Sequence, residues 1–296
     1  MKRKCPDITE EYLLLVLNGM EEYVIGEIQN TFSSSHVISL TNLTIKERIH
    51  GDTLHSPAGI GKLHLILHQH ENNITQLHAL ASVQCVLLYI HHTYDIAQMD
   101  IHEPARLAKD IVETVQWSAA LEIWKSIQNE TALKEITFRV SAIRDGKHAY
   151  QKREVAGSVG ACIGKTYPDW KVNLTKFNLE VVVLLFENFS IAGLHLPRTN
   201  VLENASFPDF AKRLPSELGR KELPLIVQDR QTSLRPSTAY LMLKLAEITS
   251  GDIVVDCMAG VGTIPIYAAS CPPFPTVFAL GADIDDAALP SMTLVR

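Results

Sequence analysis

This sequence of 296 residues has no framework of disulfides or metal-binding cysteines. Its cysteines, Cys5, Cys85, Cys162, Cys257 and Cys271, include no Cys-x-x-Cys pair. That excludes a zinc ribbon and a disulfide scaffold, and it fits a reducing compartment. Long hydrophobic runs are also missing. The longest, such as Val181 to Phe186, are far too short to span a bilayer, so no membrane association is expected. The start, Met1-Lys-Arg-Lys-Cys-Pro6, is basic but lacks the apolar core and cleavage site of a signal peptide. The default compartment is the cytoplasm, with the nucleus as the alternative. What is present, 46% hydrophobic and 20% charged residues, describes a folded globular protein of one to three domains.

The most informative stretch is Gly251-Asp-Ile-Val-Val-Asp-Cys-Met-Ala-Gly-Val-Gly-Thr263. Ile253 to Val255 suit a buried parallel strand that Asp256 ends. Gly260 and Gly262 make a tight turn of little bulk, and Ile264 to Ala269 opens a helix. Such a turn presents backbone N–H groups and a helix N-terminus to a ligand. A dinucleotide fingerprint needs a third glycine, and Thr263, Ile264 and Pro265 do not supply it. The pattern Asp-x-x-x-Gly-x-Gly-Thr instead resembles the S-adenosyl-L-methionine loop of class I methyltransferases. A second strand, Thr276 to Leu280, leads to Asp283, placed as the hydroxyl partner of a cofactor ribose. An ordinary βα turn with surface acids is the alternative reading.

The earlier chain alternates strands and helices too loosely for a doubly wound sheet, and an α+β sandwich is expected. Strands are read at Tyr12–Leu17, His36–Leu40, Lys62–Leu67 and Cys85–His91. A helix over Met20–Asn30 places Met20, Tyr23, Val24 and Ile28 near one face. Glu103–Gln128 reads as two helices with Trp117 and Trp124 at their junction or core face. Histidines crowd residues 50–92, including His64, His68 and His70, and the one acid beside those three in sequence is Glu71. They are read as solvated or core-edge groups and not as metal ligands.

A second unit begins near Lys134. Ile136 to Ile143 alternates as a strand with Ile136, Phe138, Val140 and Ala142 on one side. Gln151–Ile163 is a helix whose Gly157, Gly160 and Gly164 share a face. Close packing on a strand or the approach of a nucleic-acid backbone would each justify them. The chain carries −6 overall, yet Arg139 to Lys171 holds seven basic residues against three acidic ones, a local excess of four. That points to a defined anionic partner, with a merely solvated face as the alternative.

Phe138-Arg-Val-Ser141, Arg144-Asp-Gly-Lys-His148, Trp170-Lys-Val-Asn-Leu-Thr175 and Asn178-Leu-Glu-Val-Val-Val183, in this order, resemble a THUMP domain. Leu17-Asn-Gly-Met-Glu21 is similar to the start of the ferredoxin-like domain that precedes THUMP in tRNA-modifying enzymes. The glycine loop is similar to the catalytic domain of the THUMP tRNA guanine-N2 methyltransferases. The resemblance implies an α+β part followed by an α/β part. Its pieces are a ferredoxin-like domain over 1–132, a THUMP RNA-binding domain over 133–198, a basic linker over 199–232 and the first part of a class I, Rossmann-like methyltransferase domain over 233–296. Ser233-Leu-Arg-Pro-Ser237 opens that last part as a helix, with Arg235 near RNA or cofactor or simply at a helix start.

The implied cofactor is S-adenosyl-L-methionine, contacted by Asp256, Met258, Gly260, Gly262, Thr263 and Asp283. The implied RNA contacts are Arg139, Arg144, Lys147, His148, Lys152, Arg153 and Lys171, on the acceptor end of tRNA. A small methyltransferase-activator subunit is an implied partner. A THUMP-linked thiolation enzyme would need a Ser-Gly-Gly-x-Asp-Ser phosphate loop, and none is present. The chain reaches only about two strands into the methyltransferase fold, before any acceptor-side motif. No catalytic residue is therefore assigned, and this chain alone is expected to be inactive. A non-catalytic RNA-binding protein is the alternative.

Overall fold

The computed structural model describes residues 9–32, 37–42, 60–68, 73–94, 103–128, 134–144, 148–186, 189–196, 234–270 and 274–285. The expected linker over 199–232, together with His70 and Lys147, lies outside them. The chain divides into two units. One takes Met1–Leu14, Val37–Gln69 and Val86–Leu196; the other takes Leu15–His36, His70–Cys85 and Pro197–Arg296.

The first unit is organised by a mixed sheet. Its strands are β1 (Thr9–Leu17), β2 (Val37–Asn42), β3 (Ile60–His68), β4 (Val83–Tyr94), β5 (Thr137–Arg144), β6 (Lys171–Val172), β7 (Leu179–Leu185) and β8 (Phe189–Leu196). Their order is β2-β3-β1-β4-β8-β7-β5-β6. The expected break between 132 and 133 is therefore not a break in the sheet. β4 hydrogen-bonds antiparallel to β8, from Val86 opposite Leu196 to Tyr94 opposite Phe189, so the two expected domains share one sheet. Gly193 permits that junction. A Cβ there would stand 2.7 Å from the Leu88 carbonyl oxygen, beside the irregularity at Tyr89 and His91.

β7 is buried at every position, as a strand covered on both faces must be. β5 runs parallel to β7 and β6, which requires crossover connections. Helices α3 (Glu103–Val112), α4 (Val115–Ser126) and α5 (Lys152–Thr166) supply cover. Thr114 caps α4 by accepting from the Trp117 N–H at 3.2 Å, and Trp117 and Trp124 are both buried.

The second unit holds α1 (Glu21–Thr31), α2 (Asn73–Ala79), α6 (Pro236–Leu245), β9 (Ile253–Asp256), α7 (Thr263–Ser270) and β10 (Phe278–Gly281). On α1, Val24 and Ile28 are buried one turn apart. Tyr23 stands about 100° around the helix and is 48% exposed, so it does not share their face as expected. Ala81, Ala239, Tyr240, Leu241, Leu243, Tyr267 and Ala268 form the core, with Leu17, Met20, Val254 and Ala279 packed against it. Pro236 takes the first turn of α6, where a missing N–H costs nothing.

β9 and β10 pair in parallel, Ile253 opposite Phe278 through Asp256 opposite Gly281. The expected buried strand is corrected here. Val254 and Ala279 turn inward, but Ile253, Val255, Phe278 and Leu280 are 57–71% exposed. A parallel strand is buried twice only when both faces are covered, and among the described residues one face is not.

Candidate functional site

Hydrogen bonds and positive-φ glycines hold the glycine turn in place. Asp256 Oδ1 accepts from the Met258 N–H at 3.0 Å, folding the chain back at the strand end. Gly260 (φ +53°) and Gly262 (φ +83°) occupy the left-handed region, where side chains are strained. Ala259 N–H donates to the Ala282 carbonyl, and Ala282 N–H to the Asp256 carbonyl, each at 2.8 Å. The end of β10 is thereby tied to the turn. Asp283 completes the tie, since its Oδ2 accepts from the Gly260 N–H at 2.6 Å and its Oδ1 from the Asp285 N–H at 2.9 Å. A Cβ built on Gly260 would meet nothing within 4 Å, so the space in front of the turn is open. Thr263, at the head of α7, is 2% exposed, and its Oγ1 is buried without a hydrogen-bond partner. Met258 is 87% exposed on the same loop. Asp256, Met258, Gly260, Gly262, Thr263 and Asp283 thus lie on one loop and the strand end beside it. An open space, an unpartnered hydroxyl and two carboxylates suit a ligand rich in hydroxyl and amino groups.

The basic residues do not form one face. Arg139 is committed to the fold: its Nε and Nη2 donate to Glu180 Oε1 at 3.0 and 2.6 Å, and its guanidinium lies 4.1 Å from the Phe177 ring centre. Ser141 Oγ donates to the same oxygen at 2.6 Å, and His195 Nδ1 lies 3.2 Å from Glu180 Oε2. Burial pushes the Glu180 carboxyl up, but hydrogen bonds from His195, Ser141 and Arg139 together hold it below the usual carboxylate range. The assignment of Arg139 to the RNA face is corrected on this ground, because its charge is already matched inside the protein.

Lys171 pairs with Glu135, an exposed hydrogen bond that raises the ammonium and lowers the carboxyl. It sits opposite Thr137 at the start of β5, whereas Arg144 ends that strand. Seven residues of strand, about 23 Å, separate those two ends. Arg144 Nη1 donates to the Tyr150 carbonyl at 3.0 Å, and His148 stacks on Tyr150 with centres 5.5 Å apart. Lys152 and Arg153 are exposed on the first turn of α5. The described candidates therefore gather as Arg144, His148, Lys152 and Arg153, and Lys171 stands apart.

Beside Lys171 the structure shows an aromatic series that the sequence reading missed. Tyr167 and Trp170 stack in parallel at 4.1 Å, Trp117 Nε1 donates to the Tyr167 hydroxyl at 2.9 Å, and Trp170 meets Phe138 edge-on. The spacing of Tyr167 and Trp170 was the available signal. The glycine stripe of α5 is mostly open: only at Gly160 would a Cβ find a neighbour, Val140 at 3.8 Å. Close helix–strand packing therefore does not require Gly157 or Gly164. His64 Nε2 pairs with Glu11 Oε2 at 2.9 Å, so a carboxylate from β1 reaches a histidine that had none nearby in sequence.

Family models match two stretches. A THUMP domain matches residues 113–191, and an RMKL-like methyltransferase domain matches residues 226–273. Over these two stretches the chain is similar to THUMP-domain guanine-N2 methyltransferases. The THUMP match begins at residue 113, earlier than the 133 read from the sequence, and so takes in α4.

Among curated relatives, human tRNA (guanine(6)-N(2))-methyltransferase THUMP3 is 28% identical over 186 residues, 62% of this chain and 32% of that protein. Its mouse counterpart is 30% identical over 182 residues, 60% of this chain and 32% of that protein. Human U6 snRNA (guanine-N(2))-methyltransferase THUMPD2 is 30% identical over 156 residues, 52% of this chain and 26% of that protein. The chain thus spans about a third of the length of the curated relatives it matches. Among solved structures, TrmN from Thermus thermophilus aligns with a TM-score of 0.55 at 18% identity, covering 95% of this chain and 68% of that one. A possible methylase from Clostridium difficile aligns with a TM-score of 0.51 at 16% identity, covering 88% and 55%. These two likenesses show the fold: a mixed α+β part followed by a Rossmann-like α/β part.

Proposed function

We propose that the chain binds tRNA through its THUMP part and belongs to an enzyme that methylates guanine N2 in that RNA with S-adenosyl-L-methionine. The observation that carries this reading is the glycine turn closed by Asp256 and Asp283, following a THUMP sheet in the same chain. The open space at Gly260 and the buried, unpartnered Thr263 hydroxyl at the head of α7 are consistent with a polar ligand at the turn. Asp256, Met258, Gly260, Gly262, Thr263 and Asp283 would hold the cofactor. When bound, it supplies an activated sulfonium methyl group, so the protein's main tasks are alignment and exclusion of water. Gly260 and Gly262 let the backbone approach closely, and Asp283 accepts hydrogen bonds at the strand end. Arg144, His148, Lys152 and Arg153 would contact RNA phosphates near the acceptor end.

A small activator subunit and a cytoplasmic location, with the nucleus as alternative, complete the reading. No helix among the described residues is long and apolar enough to cross a membrane. Two measurements test it together, tRNA binding by fluorescence anisotropy and S-adenosylhomocysteine binding by calorimetry. Submicromolar binding of both supports it, and absence of RNA binding sinks it. U6 snRNA, named for the THUMPD2 relatives, is the comparison RNA. A preference for it over tRNA would move the substrate assignment.

A further inference from the structure

The second unit buries a group of hydrogen-bond donors that the described residues do not match. Gln84, at the start of β4, is 2% exposed. Its Oε1 accepts from Arg235 Nη1 at 3.1 Å, but its Nε2 has no partner. Arg235 is half-buried at the N-cap of α6, and no carboxylate stands against its guanidinium among the described residues. Desolvation there holds the guanidinium below its ordinary range. No side chain caps α6, and the first backbone bond back to Arg235 comes from Ala239, at 3.0 Å. The N–H groups of Ser237 and Thr238 are thus the free donors of the first turn, at the positive end of the helix.

A buried cation and a buried amide left unmatched cost stability, and proteins retain such arrangements where a ligand completes them. A nearby acid, Glu27, does not complete this one. Its oxygens already accept from the Ala81 and Ser82 N–H groups at 3.2 and 3.3 Å, from the Ser82 hydroxyl and from the Tyr240 hydroxyl at 3.4 Å.

We propose that Gln84, Arg235 and the uncapped start of α6 form an oxyanion site whose occupant is a phosphate of the RNA. The donor set favours phosphate over the amino-acid end of the cofactor. That end carries an ammonium group beside its carboxylate and needs an acceptor, whereas this site offers donors alone. The planar guanidinium fork presents paired donors to phosphate oxygens, and the helix start adds two more. The assignment rests on the RNA-binding reading above and extends it to residues outside the THUMP match.

The test titrates labelled tRNA with the whole chain at several salt concentrations, comparing wild type with Gln84→Glu and Arg235→Gln. Gln84→Glu places a carboxylate beside Arg235 and fills the site from within. Its melting temperature should rise while RNA affinity falls about tenfold and the salt slope drops by about one. Arg235→Gln should show the same loss of affinity and slope. In a separate arm, inorganic phosphate should raise the melting temperature of wild type and leave Gln84→Glu unmoved. Wild-type RNA affinity and slope in Gln84→Glu would overturn the proposal, as would a loss confined to S-adenosylhomocysteine affinity. If wild type binds no RNA, the functional reading fails on its own, and a phosphate arm without a shift then removes the oxyanion site as well.

Discussion

Two arginines withdrawn from solvent, one in each unit, meet opposite surroundings. Arg139 lies across the THUMP sheet with its charge matched by Glu180, its ring contact made by Phe177 and its Nη1 near the Leu174 carbonyl. Arg235, at the N-cap of α6, has a neutral acceptor, Gln84, and no carboxylate against it among the described residues. Charge counting along the chain gives both residues the same weight, and it assigned Arg139 to RNA. Partner counting reverses the assignment. An arginine whose charge is matched inside the protein holds the fold together, and one that meets only a neutral acceptor among the described residues keeps donors for a ligand.

The largest expected effect comes from making the first site resemble the second. Glu180→Ala leaves Arg139 and His195 facing an empty position. Breaking a buried pair in this way should cost about 3–5 kcal/mol, read as the shift in urea unfolding. A cost below about 1 kcal/mol would mean that the pair contributes little and that Arg139 is available after all. Acidity probes the same pair without mutation. The Glu180 carboxyl titrates below its ordinary value of 4.5 in the folded protein, so its contribution is complete at pH above that value. That stability is lost as pH falls through the lower folded value. Glu180→Gln should flatten the acid limb of a stability–pH curve, and an unchanged limb would assign the acid sensitivity to other carboxylates.

The glycine turn was legible in the sequence because its requirements are local. Positive φ needs glycine at 260 and 262, and the apolar run before them marks a strand that Asp256 ends. The partners of the arginines were not legible. Glu180 lies 41 residues from Arg139 and meets it by the pairing of β5 with β7, and Gln84 lies 151 residues from Arg235 and meets it by the packing of α6. The split of the basic residues had the same cause. Lys171 and Arg144 look like neighbours on one face until the parallel register places them at opposite ends of β5. Burial of β9 failed for a third reason. The apolar run Ile253–Val255 states what the strand can bury, but whether it is buried depends on elements that cover it from elsewhere in the fold.

A smaller change carries the comparison to the cofactor loop. Like Gln84, Thr263 keeps a buried polar atom without a partner. Thr263→Val keeps the shape and removes the hydroxyl, so the ligand-free chain should gain about 1 kcal/mol. Under the proposed function, S-adenosylhomocysteine affinity should fall about tenfold in the same variant, measured by calorimetry. Loss of stability would show that the hydroxyl serves the fold, and unchanged affinity would remove Thr263 from the cofactor contacts.

The smallest effect sharpens where RNA is held. Gly157 faces open space on α5, one helical turn beyond Arg153, and a Cβ there would meet nothing within 4 Å. Glycine in a helix interior is about 0.5–1 kcal/mol less favourable than alanine, so Gly157→Ala should raise stability by that amount. Gly164→Ala should do the same, because its surroundings are equally open. Both gains are expected in thermal or urea unfolding, and a loss at either position would show that the stripe is filled by something the fold provides. RNA affinity then separates two routes for the strand. If it lies against α5 between Arg153 and Gly164, the added methyl groups weaken binding although the protein is more stable. If binding is unchanged in Gly157→Ala and falls in Gln84→Glu, the phosphate contacts that matter are those at Arg235, and the glycine stripe is only an unimproved helix surface.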